Sequence, residues 1–239
     1  MRNRCSLRLL GSLCLPAFAF VLAPSPLPAQ EKAEPNAKGV VDSESPRVRS
    51  VETASLARQL ARYGEANQDA EALVLAADIL LKSGAQELDA EKTQKGESSG
   101  DVPDPGEGEM TPSGLVELAR TLAEPGSAAF LMIEEIESRP VDRGARGGPK
   151  VANDCVRALT SDAYTVTFTG GEEAVVSAVG DGDTDLDVHI YDEYGHLIVS
   201  DTGFSDRALV AWRPIWTGPF VIEVRNLGLV YNCYGLATN

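Results

Sequence analysis

Apolar residues recur along the chain in two rhythms, and the change between them falls near residue 150. Before it, Val51, Leu56, Leu60 and Tyr63 return at roughly helical spacing, and Gly64 stops the run. A second run places Leu73, Ala76, Ala77, Leu80 and Leu81 on one face and ends at Ser83-Gly84. A period near 3.6 closed by glycine predicts two helices joined as a hairpin. Thr111-Pro112 then opens a third helix, with the threonine hydroxyl as cap and proline where no helical donor is lost. Leu115, Leu118 and Leu122 form its stripe, Glu124-Pro125-Gly126 breaks it, and Ser127 caps a fourth helix bearing Phe130, Leu131, Ile133 and Ile136. The fragments LARQLA (56–61) and LARTLA (118–123) read either as a duplicated hairpin or as the shared helix preference of Leu, Ala and Arg.

After residue 150 the period becomes two. Tyr164, Val166 and Phe168 alternate with threonines, and Leu186, Val188 and Ile190 alternate with Asp187, His189 and Tyr191. Further short strands are predicted over 174–179, 196–200, 208–212, 220–224 and 231–237, with turn signals such as Gly170-Gly171 and Glu193-Tyr194-Gly195 between them. Short alternating strands at this spacing predict an antiparallel β-sandwich. The fold class is therefore α+β, N-terminal helical hairpins followed by a C-terminal sandwich.

The stretches without periodicity set the boundaries. Residues 1–29 combine Arg2, Arg4 and Arg8, an apolar run over 9–22 and a proline-spaced ending at Ala29, the order of a secretory signal peptide. Residues 30–49 are rich in Glu, Lys, Pro and Ser and predict a disordered leader. The helical module spans 50–139 and contains a polar linker over 86–110; a Gly/Arg linker over 140–150 precedes the sandwich at 151–239.

Charge and cysteines narrow the setting. The chain carries a formal charge of −15, and cleavage after Ala29 would remove three arginines and no acids. Such a surface repels phosphate backbones, which argues against nucleic acid as a partner. The apolar run at the start is too short and proline-interrupted for a membrane span, so none is expected after cleavage. Of four cysteines, Cys155 and Cys233 would remain, and in an oxidising compartment an even pair predicts a disulfide. Localisation is then periplasmic or extracellular.

The candidate chemistry gathers in GDGDTDLDVHIYD, residues 180–192. Asp181, Asp183 and Asp185 precede a strand and are candidate ligands for calcium, a hard cation that takes six to eight oxygens. The alternative is that they form Asx-turns and end strands. Asp187 has strand spacing and is expected to face solvent with His189. An EF-hand is excluded, because Leu186 stands where its glycine is required. His189 and His196 are the only histidines; a Ser/His/Asp set can be drawn through Ser177 or Ser200, but a triad is defined by geometry. Trp212 and Trp216 flank Pro214, and one packed in the core with the other at a loop is the alternative to an exposed stacking platform.

The runs GDTDLDVHIYDEYGHLIVSD, WTGPFVIEVRNLG and the terminal YNCYGLATN together resemble the bacterial pre-peptidase C-terminal domain, over about Asn153 to Asn239. The resemblance implies a jelly-roll-like sandwich in a secreted protein, often calcium-responsive and in some members matrix- or polysaccharide-binding. No HExxH precedes the sandwich, so the protease that such domains often follow is not carried over. The expectation is a non-enzymatic exported binding protein with a protein or glycan partner, in which calcium rigidifies the sandwich and the helical module is the protein-binding surface. The alternative is an accessory domain protein or subunit of a secreted hydrolase or peptidase.

Overall fold

Each helix begins on a side chain that accepts a hydrogen bond from its own first turn. In α1 (Pro46–Asn67) Ser45 Oγ accepts from the Val48 amide at 3.2 Å, and in α2 (Ala70–Ser83) Asp69 Oδ1 accepts from Ala72 at 3.1 Å. Thr111 and Ser127 cap α3 (Pro112–Leu122) and α4 (Ala128–Ser138) in the same way. In this computed structural model the described residues are 34–38, 41, 43–98, 111–139 and 147–239. The expected signal peptide, the later part of the linker at 86–110 and most of that at 140–150 lie outside the described residues.

The face by which α1 packs is built from small residues: Val48, Val51, Ala54, Ala57, Ala61 and Gly64 are buried. A side chain at Gly64 would meet Leu73 Cγ at 2.7 Å, so α1 and α2 approach more closely than leucines would allow. Of the expected stripe of Val51, Leu56, Leu60 and Tyr63, Val51 is fully buried and Leu60 packs partly against the helical core. Leu56 and Tyr63 are both exposed, and the alanines carry the contact. The same apolar cluster continues through Leu115, Ala119 and Ile133 into Val175 and Ala237 of the sandwich. Helices and sandwich thus share a core within one unit, Glu34–Asn239.

Ten short strands form two five-stranded sheets among the described residues. The first joins β1 (Gln86–Glu87), β3 (Lys150–Val156), β10 (Asn232–Thr238), β5 (Ala174–Val179) and β8 (Arg207–Trp212), in that order. The second joins β2 (Glu91–Lys95), β4 (Ser161–Phe168), β9 (Gly218–Asn226), β6 (Leu186–Asp192) and β7 (Leu197–Asp201). Pairings are antiparallel except β1 with β3. Between the sheets lie Tyr164, Val166, Phe168, Val188, Ile190, Phe220, Ile222, Val224 and Leu236, and the helices cover the outer face of the first sheet. The fold class is α+β, as the two rhythms predict.

Two departures from the sequence expectation have one cause, polar residues held by specific hydrogen bonds rather than by apolar burial. The supposed leader contains Asn36, which is fully buried, and α1 begins at Pro46. The first ten residues of the supposed linker supply β1 to one sheet and β2 to the other. Lys92 of β2 forms ion pairs with Asp154 and Asp162. Asp162 also accepts from Tyr234 Oη at 2.9 Å, and the Tyr164 and Tyr234 hydroxyls bond each other at 2.8 Å. Burial pushes the Asp162 carboxyl above its ordinary pKa, and Lys92 opposes that shift.

Candidate functional site

Strand β6 runs through the sandwich from Leu186 to Asp192, so the aspartate motif spans both ends of the barrel-like core. At the first end four turns meet: 157–160, 180–185, 202–206 and 227–231. Backbone bonds join them, from Leu159 N to Gly228 O (3.1 Å), Leu227 N to Asp185 O (3.1 Å), Gly180 N to Asp206 O (2.7 Å) and Leu186 N to Ser205 O (3.3 Å). Buried Asn232 holds the acidic turn from below, its Oδ1 accepting from the Asp181 amide and its Nδ2 donating to Thr184.

Asp181 is committed to the chain. Its Oδ1 accepts from the Asp183 amide at 3.2 Å and its Oδ2 from the Cys233 amide at 2.7 Å, while its carbonyl accepts from Arg62 of α1. It is an Asx-turn residue that clamps the turn onto β10. Asp183 is exposed, and Asp185 Oδ1 is buried without a partner among the described residues. Among the described residues no three His, Cys, Asp or Glu side chains stand close enough together to hold a metal ion. Asp181, Asp183 and Asp185 share a turn, with Asp181 bonded to backbone amides and Asp183 exposed.

Directly beneath this end lies the disulfide. Cys155 and Cys233 are register partners on β3 and β10 and are bonded, 78 positions apart in sequence. Around the rim the turns expose Leu159, Phe204, Leu227, Leu229, Val230 and Tyr231. Phe204 is fully exposed, and Leu229 is 83% exposed. Leu159 adopts φ +55°, a left-handed conformation that costs a non-glycine residue about 1–2 kcal/mol, and no burial offsets it, since the side chain is 63% exposed.

The outer face of the second sheet carries Asp187, His189 and Tyr191 beside Glu223 and Arg225 of β9. Asp187 and His189, expected to face solvent, are both buried. They do point away from the core, but a layer of long polar side chains surrounds them. Glu223 accepts from Ser161 Oγ (2.9 Å), Arg225 Nε (3.0 Å) and Lys95 Nζ (3.1 Å), and Arg225 donates to Tyr191 Oη at 2.8 Å. Burial alone would raise the Glu223 pKa, and the bonds from Arg225, Ser161 and Lys95 hold it below the ordinary value. Burial pushes Asp187 up and His189 down. Ser200 lies opposite His189 in register, yet no hydrogen bond among the described residues joins Ser200, His189 and Asp187. Ser177 belongs to the other sheet. A nucleophile that no base touches is not activated.

At the opposite end the other half of the motif is sealed. Asp192 Oδ1 accepts from the amides of Tyr194 and His196, and Oδ2 from the Asn36 amide and His196 Nδ1. Asn36 Oδ1 accepts from the amides of Ile215 and Trp216, and its Nδ2 donates to the Trp216 carbonyl. Trp216 Nε1 donates to Glu193 Oε1 at 2.7 Å, so this tryptophan closes the seal. Trp212 lies in the core, edge-on to Phe168 at 4.7 Å between ring centroids. The two tryptophans therefore form no shared platform. Asn36 is the site residue that sequence reasoning missed, for its segment has neither period nor motif.

No known family matches the chain, and no curated protein matches it. Solved structures are similar over part of the chain. The pre-peptidase C-terminal domain of a collagenase from Bacillus anthracis is 12% identical, matched over 38% of this chain and 88% of that one, at a TM-score of 0.31. A periplasmic inhibitor of g-type lysozyme from Aeromonas hydrophila is 12% identical over 38% and 84% of the two chains, at 0.30. A carbohydrate-binding module of a Cellvibrio mixtus lichenase, in complex with cellotriose, is 9% identical over 40% and 80%, at 0.26. At these identities the likeness concerns the β-sandwich alone. No helix among the described residues is long and apolar enough to cross a membrane.

Proposed function

We propose that this is an exported, non-catalytic binding protein that presents the four-turn end of its sandwich to a protein or glycan partner. The observation that carries the reading is the rim of six large apolar side chains on turns held together by backbone hydrogen bonds. Contiguous exposed apolar groups on a fixed scaffold mark interaction sites. Export is supported by the Arg-then-apolar start of the chain and by the disulfide. The non-catalytic part rests on the unjoined Ser200, His189 and Asp187. The helical layer, expected to be the binding surface, turns its small-residue face to the first sheet. Calcium takes no part in this reading.

The test passes the exported protein fraction and a panel of soluble glycans over the immobilised chain and over a Leu227→Ser/Leu229→Ser variant. A ligand retained by the first and lost by the second is expected. Equal retention on both, or retention by neither, would sink the proposal.

A further inference from the structure

Strand β2 has little apolar contact to hold it. All five of its residues, Glu91 to Lys95, are exposed, and among the described residues it borders only β4. Its Lys92 nevertheless meets two carboxylates at once. One is Asp154 of β3, in the first sheet; the other is Asp162 of β4, in the second, with Nζ 3.2 Å from Oδ2. Asp162 Oδ2 accepts from Tyr234 Oη at 2.9 Å, the Tyr234 and Tyr164 hydroxyls bond each other at 2.8 Å, and Tyr164 Oη donates to Asp154 Oδ2 at 3.1 Å. One lysine, two aspartates and two tyrosines thus close a ring of polar contacts. The Asp162 side chain is 1% exposed, and its Oδ1 is buried and meets no donor among the described residues. Charge on this carboxyl is poorly stabilised, and burial raises its hold on a proton.

We propose that the folded chain joins Lys92 to Asp154 by an amide bond between their side chains. Nζ attacks Cγ of Asp154, the C–N bond forms, the bond from Cγ to Oδ2 breaks, and that oxygen leaves as water. Two protons leave Nζ and two reach the departing oxygen. Asp162 takes them from Nζ and returns them through Tyr234 and Tyr164, and it ends as it began. Nothing is oxidised or reduced, and no co-reactant is needed. The Cys155 amide donates to Asp154 Oδ1 at 2.9 Å, and this oxygen carries the charge of the tetrahedral intermediate before it becomes the amide oxygen. Free ammonium and carboxylate groups do not condense in water, but a nucleophile held against its carbonyl acts at an effective concentration on the order of 10⁵ M or more. The bond ties the exposed edge strand of the second sheet to β3 of the first, where apolar burial supplies no anchor.

The test is the intact mass of the purified chain after reduction of its disulfide, with its N-terminus sequenced so that the mass of its residues is known. The measured mass is expected to be one water short of that sum. A protease digest should yield a branched peptide that joins the segment of Lys92 to that of Asp154. Lys92→Arg keeps the charge but offers no amine, and it should show the full mass. Asp162→Asn keeps the shape but carries no proton to the departing oxygen, and most of that chain should also stay at full mass. The full mass in the native chain, shown by circular dichroism to be folded, would overturn the proposal and leave Lys92 and Asp154 as an ion pair. A branch at Asp162 in place of Asp154, or the same loss of water in Lys92→Arg, would overturn it too. Complete cross-linking in Asp162→Asn would overturn the proton path.

Discussion

The two ends of the sandwich are closed by different chemistry. At the sealed end, one buried carboxylate and one buried amide, Asp192 and Asn36, satisfy the surrounding amides, and Trp216 and Glu193 finish the surface. At the other end a disulfide and the Asp181 clamp fix the base, while the rim is left apolar. Both ends grow from the same motif, one from Asp181–Asp185 and one from Asp192. Asp183 and Asp192, nine residues apart, therefore differ: the first is exposed and the second is buried and fully bonded. Where every lone pair is met inside the chain, the carboxylate is structure. Where it is not, the carboxylate faces solvent.

The contrast can be broken at several points. Reduction of Cys155–Cys233 should have the largest effect, a loss of about 4 kcal/mol on the chain-entropy account, read by denaturant unfolding with and without reductant. An unchanged midpoint would mean that the clamp alone holds this end. Asn36→Ala should cost about 3 kcal/mol, since it removes three side-chain hydrogen bonds and strands two amides. Calorimetry should then show a lower Tm, and a neutral result would dissolve the idea of a seal.

Acid should act next. Burial alone would raise the Asp192 pKa, but bonds from His196, Asn36 and Tyr194 hold it below the ordinary 3.8. Its contribution to stability is then complete above that value and is lost as pH falls through the lower folded value. Melting followed between pH 5 and 2 should show a loss that is absent in Asp192→Asn. Smallest of all, Leu229→Ser or Phe204→Ser at the apolar rim should change stability by no more than about 0.5 kcal/mol. A larger loss in the melting curve would show that these side chains pack rather than wait for a partner.

What the sequence made legible follows from what each element depends on. Strands β4, β6 and β9 depend on alternating burial, and Tyr164-Val166-Phe168 and Leu186-Val188-Ile190 display it openly. Capped helices depend on local residues, and Thr111-Pro112 and Ser127 are readable as starts. The packing stripe of α1 is legible only at Val51 and Leu60, because alanine and glycine carry the rest of it and hydrophobicity weights them little. Asn36 and Lys92 were invisible because each acts through partners more than 60 residues away, with no period to announce it. The acidic turn was visible as a cluster. The use of Asp181 could not be, because its partner is the amide of Cys233.

The placement of β1 and β2 also bears on how the chain comes together. The two strands lie in sequence between α2 and α3, yet they are borders of sheets whose other strands all follow residue 149. Neither half can finish alone. Cut off at residue 150, the sandwich would lack an edge on each sheet and would leave Asp154 and Asp162 without Lys92. Pairings this far apart close late and slowly, because the intervening chain must first lose its freedom. The polypeptide therefore stays unfinished until its last strand arrives.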